Sequence, residues 1–136
     1  MKAFEFTVPE RTVFSVGAIN KLSEKAKGLG TKALVITGRS QRPEKAALVK
    51  KVTSLLAEAG IESVIFDKVE PNPRSTTCNE AARVCRENNC DVTLGLGGGS
   101  PMDVAKFTAM LAVNDGRMED YMPGGKYASK PESELK

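Results

Sequence analysis

The sequence predicts an α/β fold: a parallel sheet with helices on both faces and a short N-terminal edge hairpin. Three observations predict it. Apolar runs of strand length recur at Lys32–Thr37, Ser63–Phe66 and Val92–Leu96. Between them lie stretches with helically spaced apolar residues, about Glu44–Ala59 and Thr76–Glu87. A third such stretch, Val104–Val113, follows a run of bare glycines. Alternating strands and helices build a parallel sheet through right-handed crossovers. In such sheets ligands sit beyond the C-terminal ends of the strands.

Phe4–Val8 and Thr12–Val16 are β-prone runs flanking Pro9-Glu10-Arg11, which predicts the edge hairpin. Gly17 releases the chain into a segment with Ile19, Leu22 and Ala26 on one side. Lys32–Thr37 is continuously apolar, as a strand covered on both faces should be. The helix after it carries Leu48, Val52, Leu55, Leu56 and Ala59 at helical spacing and stops at Gly60. Glu70-Pro71-Asn72-Pro73 forbids helix and makes a rigid connection. The next helix turns Cys78, Ala82 and Cys85 inward, with Thr77 and Glu80 spaced as a capping box. Residues 1–115 thus read as one binding domain, and 116–136, with Pro123, Gly124, Gly125 and Pro131, as a surface loop or linker.

The turn Gly97-Gly98-Gly99 is where chemistry is expected. Three glycines cannot hold a strand, and Ser100, Pro101 and Asp103 suit the N-cap, N1 and N3 positions of a helix. Such a helix start offers unpaired N–H groups and partial positive charge to an anion, which makes it a phosphate seat. Tight packing alone is the competing explanation. Neither G-x-G-x-x-G nor a Walker-type P-loop is present.

Bulk properties exclude several classes. The chain has 136 residues, 40% of them hydrophobic and 27% charged, which suits one soluble domain. The net charge of +3 is dispersed and aromatics are 5%, so no nucleic-acid footprint is expected. No apolar run spans a membrane and MKAFEFTVPE is no signal peptide, so a cytoplasmic protein is expected. There is no histidine, which removes Ser-His-Asp, Cys-His and histidine–metal chemistry from this chain alone. Cys78, Cys85 and Cys90 lack metal-type spacing, and Cys78 and Cys85, seven apart on one helix face, read as small buried residues.

The ten residues Gly97-Gly98-Gly99-Ser100-Pro101-Met102-Asp103-Val104-Ala105-Lys106 resemble the GGGSxxDxAK signature of the iron-containing (group III) alcohol dehydrogenases. The resemblance covers nearly the whole chain, but only the N-terminal, Rossmann-like half of that family. It implies that Gly97, Gly98, Gly99 and Ser100 hold the pyrophosphate of a dinucleotide. Thr37, Gly38, Arg39 and Ser40 would face the adenosine, Asn72 and Pro73 the adenine side, and Asp103 the nicotinamide side. Asp103 also suits a plain helix-dipole role, and Lys106 could reach phosphate or merely pair with a carboxylate.

Many members of that family carry an aspartate where Gly38 stands, and these favour NAD. Its absence here, with Arg39 and Ser40 as donors, implies NADP, with NAD as the alternative. The family's second, helical domain supplies a metal, iron or zinc, for hydride transfer between cofactor and a primary alcohol, diol or aldehyde. None of those ligands is present, so the chain is expected to be a fragment that is inactive alone, with no catalytic or metal-binding residue of its own. The resemblance also implies a homodimer. A glycerol dehydrogenase or dehydroquinate synthase half, or a non-catalytic nucleotide-binding module, is the alternative.

Overall fold

The computed structural model describes residues 12–130. Three parallel strands form the sheet among these residues: β1 (Lys32–Gly38), β2 (Glu62–Val69) and β3 (Val92–Leu96), in the order β2-β1-β3. β1 pairs on both sides, with Val35 opposite Ile65 and Leu94. Its continuous apolar run follows from that position. Leu34 and Ile36 point into one core with Phe66, Cys78, Ala82 and Val104. Ala33 and Val35 point into the other, with Ala26, Val52, Leu56 and Ile61. Helices therefore cover both faces, and the predicted Rossmann-like α/β class is the one observed.

On one face lie α1 (Leu22–Ala26), entered through a 3₁₀ turn at Ala18–Lys21, and α2 (Pro43–Glu58). Ala26 is buried while Ile19 and Leu22 pack on that core from its edge, as their spacing predicts. On the other face lie α3 (Ser75–Glu87) and α4 (Gly99–Val113).

Both α2 and α3 end in the same device. The Ile61 N–H reaches the Leu56 carbonyl at 2.9 Å and the Gly60 N–H that of Ala57 at 2.9 Å, with Gly60 at φ 79°. After α3, Cys90 bonds to Cys85 at 2.9 Å and Asn89 to Arg86 at 3.1 Å, with Asn89 at φ 54°. These are Schellman closures, one by glycine and one by asparagine.

Several expectations need correction. Thr12–Val16 is not a strand: it runs as coil into a turn with Phe14 and Val16 fully exposed, because no neighbour among the described residues offers its backbone a ladder. Phe4–Val8, the other half of the predicted hairpin, lies outside the described residues. β3 is only half-buried along its length, since it pairs with β1 on one side and is the sheet's edge among the described residues. Thr77 and Glu80 form no capping box. The helix begins at Ser75, the Thr77 hydroxyl donates to Glu70 at 2.8 Å, and Glu80 pairs with Lys68 at 2.6 Å.

The segment read as a loop or linker carries a short helix, α5 (Met118–Tyr121), docked on α3. Ser75 and Asn79 donate to the Glu119 carboxylate at 2.7 and 2.9 Å, and the Met118 N–H donates to the Asn79 side-chain oxygen at 2.8 Å. Tyr121 and Tyr127 pack with ring centroids 5.2 Å apart.

Candidate functional site

The order β2-β1-β3 reverses the direction of winding at β1. The chain moves outward from β1 to β2, then crosses back over β1 to β3. The loops after β1 and β3 consequently part at their C-terminal ends and leave a crevice, the usual ligand position in such sheets. A cleft of about 710 Å³ opens there. It brings together Thr37, Gly38, Arg39 and Ser40 from the first loop with Gly97, Gly98, Gly99 and Ser100 from the second. Eight of the eleven sequence-predicted site residues thus meet in one place.

The glycines of the turn differ in what they do. Gly97 has φ 142°, a conformation that side chains rarely adopt. Gly98 and Gly99 have nothing within 4 Å of where a β-carbon would stand. They leave space next to the backbone at the mouth of α4, where a side chain would intrude. Gly95, one pleat earlier, is the packing glycine: its β-carbon would lie 2.8 Å from Met102 Cα.

The helix starts two residues before the position the sequence suggests. Gly98 is the N-cap of α4 and Gly99 its first residue, so Ser100 is not the N-cap and no side chain caps the helix. Pro101 falls at the third position and Asp103 at the fifth. The proline costs nothing there, because the first four N–H groups of a helix have no intrahelical acceptor. The uncapped N–H groups of Gly99 and Ser100 therefore stand at the cleft, at the positive end of a 15-residue helix dipole.

The remaining predicted residues lie elsewhere. Asn72 and Pro73 sit just beyond the wall made by Glu70 and Pro71, with Asn72 at φ 52°. Asp103 is not part of the cleft lining; it pairs with exposed Lys106 at 3.3 Å, one turn along α4.

Sequence reasoning missed Lys45, Leu48, Val69, Glu70 and Pro71 as lining residues. Lys45 and Leu48 could have been found by noting that a helix leaving the end of β1 turns its first two turns toward that rim. Glu70 accepts from the Arg74 N–H at 3.1 Å and from the Thr77 hydroxyl at 2.8 and 2.9 Å. Its own backbone N–H first, then Thr77, Arg74 and the charge of Arg39, hold its carboxyl below the ordinary range against some desolvation. It is an anion fixed at the cleft edge. Burial raises the Cys78 thiol and pushes that of Cys85 up to about 11, so both are inert core groups, in keeping with the expected packing role.

The family model for iron-containing alcohol dehydrogenase matches residues 9–136. The chain belongs to the iron-containing alcohol dehydrogenase family. Among curated relatives, 1,3-propanediol dehydrogenase of Citrobacter freundii is 38% identical over 88% of this chain and 31% of the relative. NADH-dependent butanol dehydrogenase B of Clostridium acetobutylicum is 35% identical over 92% and 32%, respectively. A crystal structure of 1,3-propanediol oxidoreductase superposes with a TM-score of 0.79 at 38% identity, covering 88% of this chain and 31% of the other. The chain spans about a third of the length of the relatives it matches.

Among the described residues no three His, Cys, Asp or Glu side chains are grouped to hold a metal ion. A dinucleotide does fit the residues present, because Gly98 and Gly99 leave open backbone at the mouth of an uncapped helix. Nor is any helix among the described residues long and apolar enough to cross a membrane.

Proposed function

We propose that residues 1–115 form the dinucleotide-binding domain of a metal-dependent alcohol dehydrogenase, and that 116–136 lead toward a helical metal-binding part. The complete enzyme passes hydride between NADP(H) and a primary alcohol, a diol or an aldehyde, and this chain is inactive alone. A homodimer and a cytoplasmic location accompany the reading. The observation that carries it is the pair Gly98 and Gly99, open on the cleft side at the uncapped start of α4 and facing the loop after β1.

The N–H groups of Gly99 and Ser100 donate to the pyrophosphate, and the α4 dipole adds to their attraction. Thr37 to Ser40 receive the adenosine. Asn72 and Pro73 border its adenine side from beyond the cleft wall, and Asp103 the nicotinamide side. Leu48, Val69 and Leu96 keep water from the flanks of the bound molecule. When bound, the nicotinamide ring supplies or accepts the hydride. Gly38 puts no carboxylate where a 2′-phosphate would stand, and Arg39 offers a guanidinium to it.

Two observations favour NAD instead: the fixed Glu70 carboxylate stands at the cleft edge, and butanol dehydrogenase B of Clostridium acetobutylicum is NADH-dependent. Calorimetric titration with NADPH and then NADH, with Arg39→Ala as control, decides between them. NADPH binding tighter than NADH binding, and weakened by Arg39→Ala, is the expected result. Tighter NADH binding gives the site to NAD, and equal binding of both keeps the dehydrogenase reading but removes the NADP preference.

A further inference from the structure

Lys45, on the first turn of α2, is half-buried and donates from its ammonium to the Gly38 carbonyl at the end of β1. An ammonium has three donors, so two remain. It forms no ion pair among the described residues. It is also shared between two spaces: the 710 Å³ cleft and a neighbouring cavity of about 390 Å³, with Thr37 and Ser40 common to both. A partly desolvated charge without a counter-ion is costly, and an anionic ligand would relieve that cost.

We propose that Lys45 is the specificity-determining cation of the adenosine end, its ammonium receiving the 2′-phosphate of NADP(H) beside Arg39 and Ser40. The proposal rests on the dinucleotide reading above and deepens it. Three carboxylates line the two spaces, Glu44 and Glu70 in the cleft and Asp67 in the neighbouring cavity, and none forms an ion pair with Lys45. Glu70 is engaged by the Arg74 N–H and the Thr77 hydroxyl. Glu44 adjoins Lys45 in a helix, where successive side chains diverge. A compact charge on a flexible stem can hold the Gly38 carbonyl and still turn its remaining donors to a phosphate, which a rigid guanidinium does less readily.

The test is Lys45→Gln, which keeps an N–H donor for the Gly38 carbonyl and removes the charge. This chain and its variants are titrated calorimetrically with NADPH and NADH. Lys45→Gln should weaken NADPH about tenfold or more, the range of a charge-assisted hydrogen bond. NADH affinity should hardly change, and Lys45→Arg should recover most of the NADPH preference. An unchanged NADPH-to-NADH ratio in Lys45→Gln overturns the proposal, as does an equal loss for both cofactors, which would mark a structural role. Binding of NADH without NADPH by the unaltered chain overturns it while leaving the dinucleotide reading standing. Binding of neither overturns both.

Discussion

A β-carbon at Gly95 would stand 2.8 Å from Met102 Cα and 2.9 Å from the Pro101 carbonyl, whereas one at Gly98 would touch nothing within 4 Å. Packing and ligand space are thereby assigned to different glycines of one motif. Gly95→Ala should destabilise the fold by about 1–3 kcal/mol through overpacking against backbone, measurable by urea denaturation. Asp91 works at the opposite rim. Its carboxylate accepts from Lys32 N–H at 2.8 Å, from Thr31 N–H at 2.8 Å and from the Thr31 hydroxyl at 2.7 Å, tying the start of β1 to that of β3. The Lys32 N–H first, then Thr31, hold its carboxyl below its ordinary value of 3.8. A carboxyl depressed in the folded state stabilises above its unfolded pKa, and that contribution disappears as pH falls through the folded value. Asp91→Asn should therefore lower the melting temperature at pH 7, and its deficit relative to the unaltered chain should shrink below about pH 4.

The helices and strands obey local rules to different degrees. Gly60 announces the end of α2, whereas Asn89 performs the same left-handed turn after α3 without so plain a signal. Asn89→Gly should stabilise the chain by about 0.5–1 kcal/mol, seen in thermal melts, because glycine adopts that φ without penalty. The central strand was legible because doubly covered strands are apolar throughout, and Leu34 and Val35 are fully buried on opposite faces. β3 differs in sequence, alternating Val92, Leu94 and Leu96 with Thr93 and Gly95, and its half-burial accords with its place at the sheet's edge among the described residues. Thr77 shows the limit of spacing rules: its hydroxyl prefers the Glu70 carboxylate, brought close only by the Pro71–Pro73 bend. The docking of α5 was equally illegible, since it depends on polar partners about forty residues away.

Asn79 first, then Ser75, hold the Glu119 carboxyl at about 2, down from 4.5. Its grip on α3 is complete above about pH 4.5 and is lost between there and pH 2. The chain has two tyrosines and no tryptophan, and both tyrosines lie in this segment, at 121 and 127. Tyrosine fluorescence should therefore change on acidification ahead of the circular dichroism of the helices; coincident changes would refute a separate release of α5.

At the scale of the whole molecule, reversing the winding at β1 sets two loops, far apart in sequence, on one crevice. The sequence made this convergence legible: the glycine turn and the loop at Thr37–Ser40 were both placed on the C-terminal rim by the fold class alone. The start of α4, the place of Asp103 and the lining role of Lys45 and Glu70 were not, because each depends on where helices leave the sheet. The central claim is that the open glycine turn is a phosphate seat. Its most direct test is NADPH titration, followed by nicotinamide fluorescence, of the unaltered chain and Gly98→Val, with thermal melts of both. The account predicts that Gly98→Val melts within a few degrees of the unaltered chain and loses NADPH binding. A folded Gly98→Val that binds NADPH as tightly as the unaltered chain would contradict it.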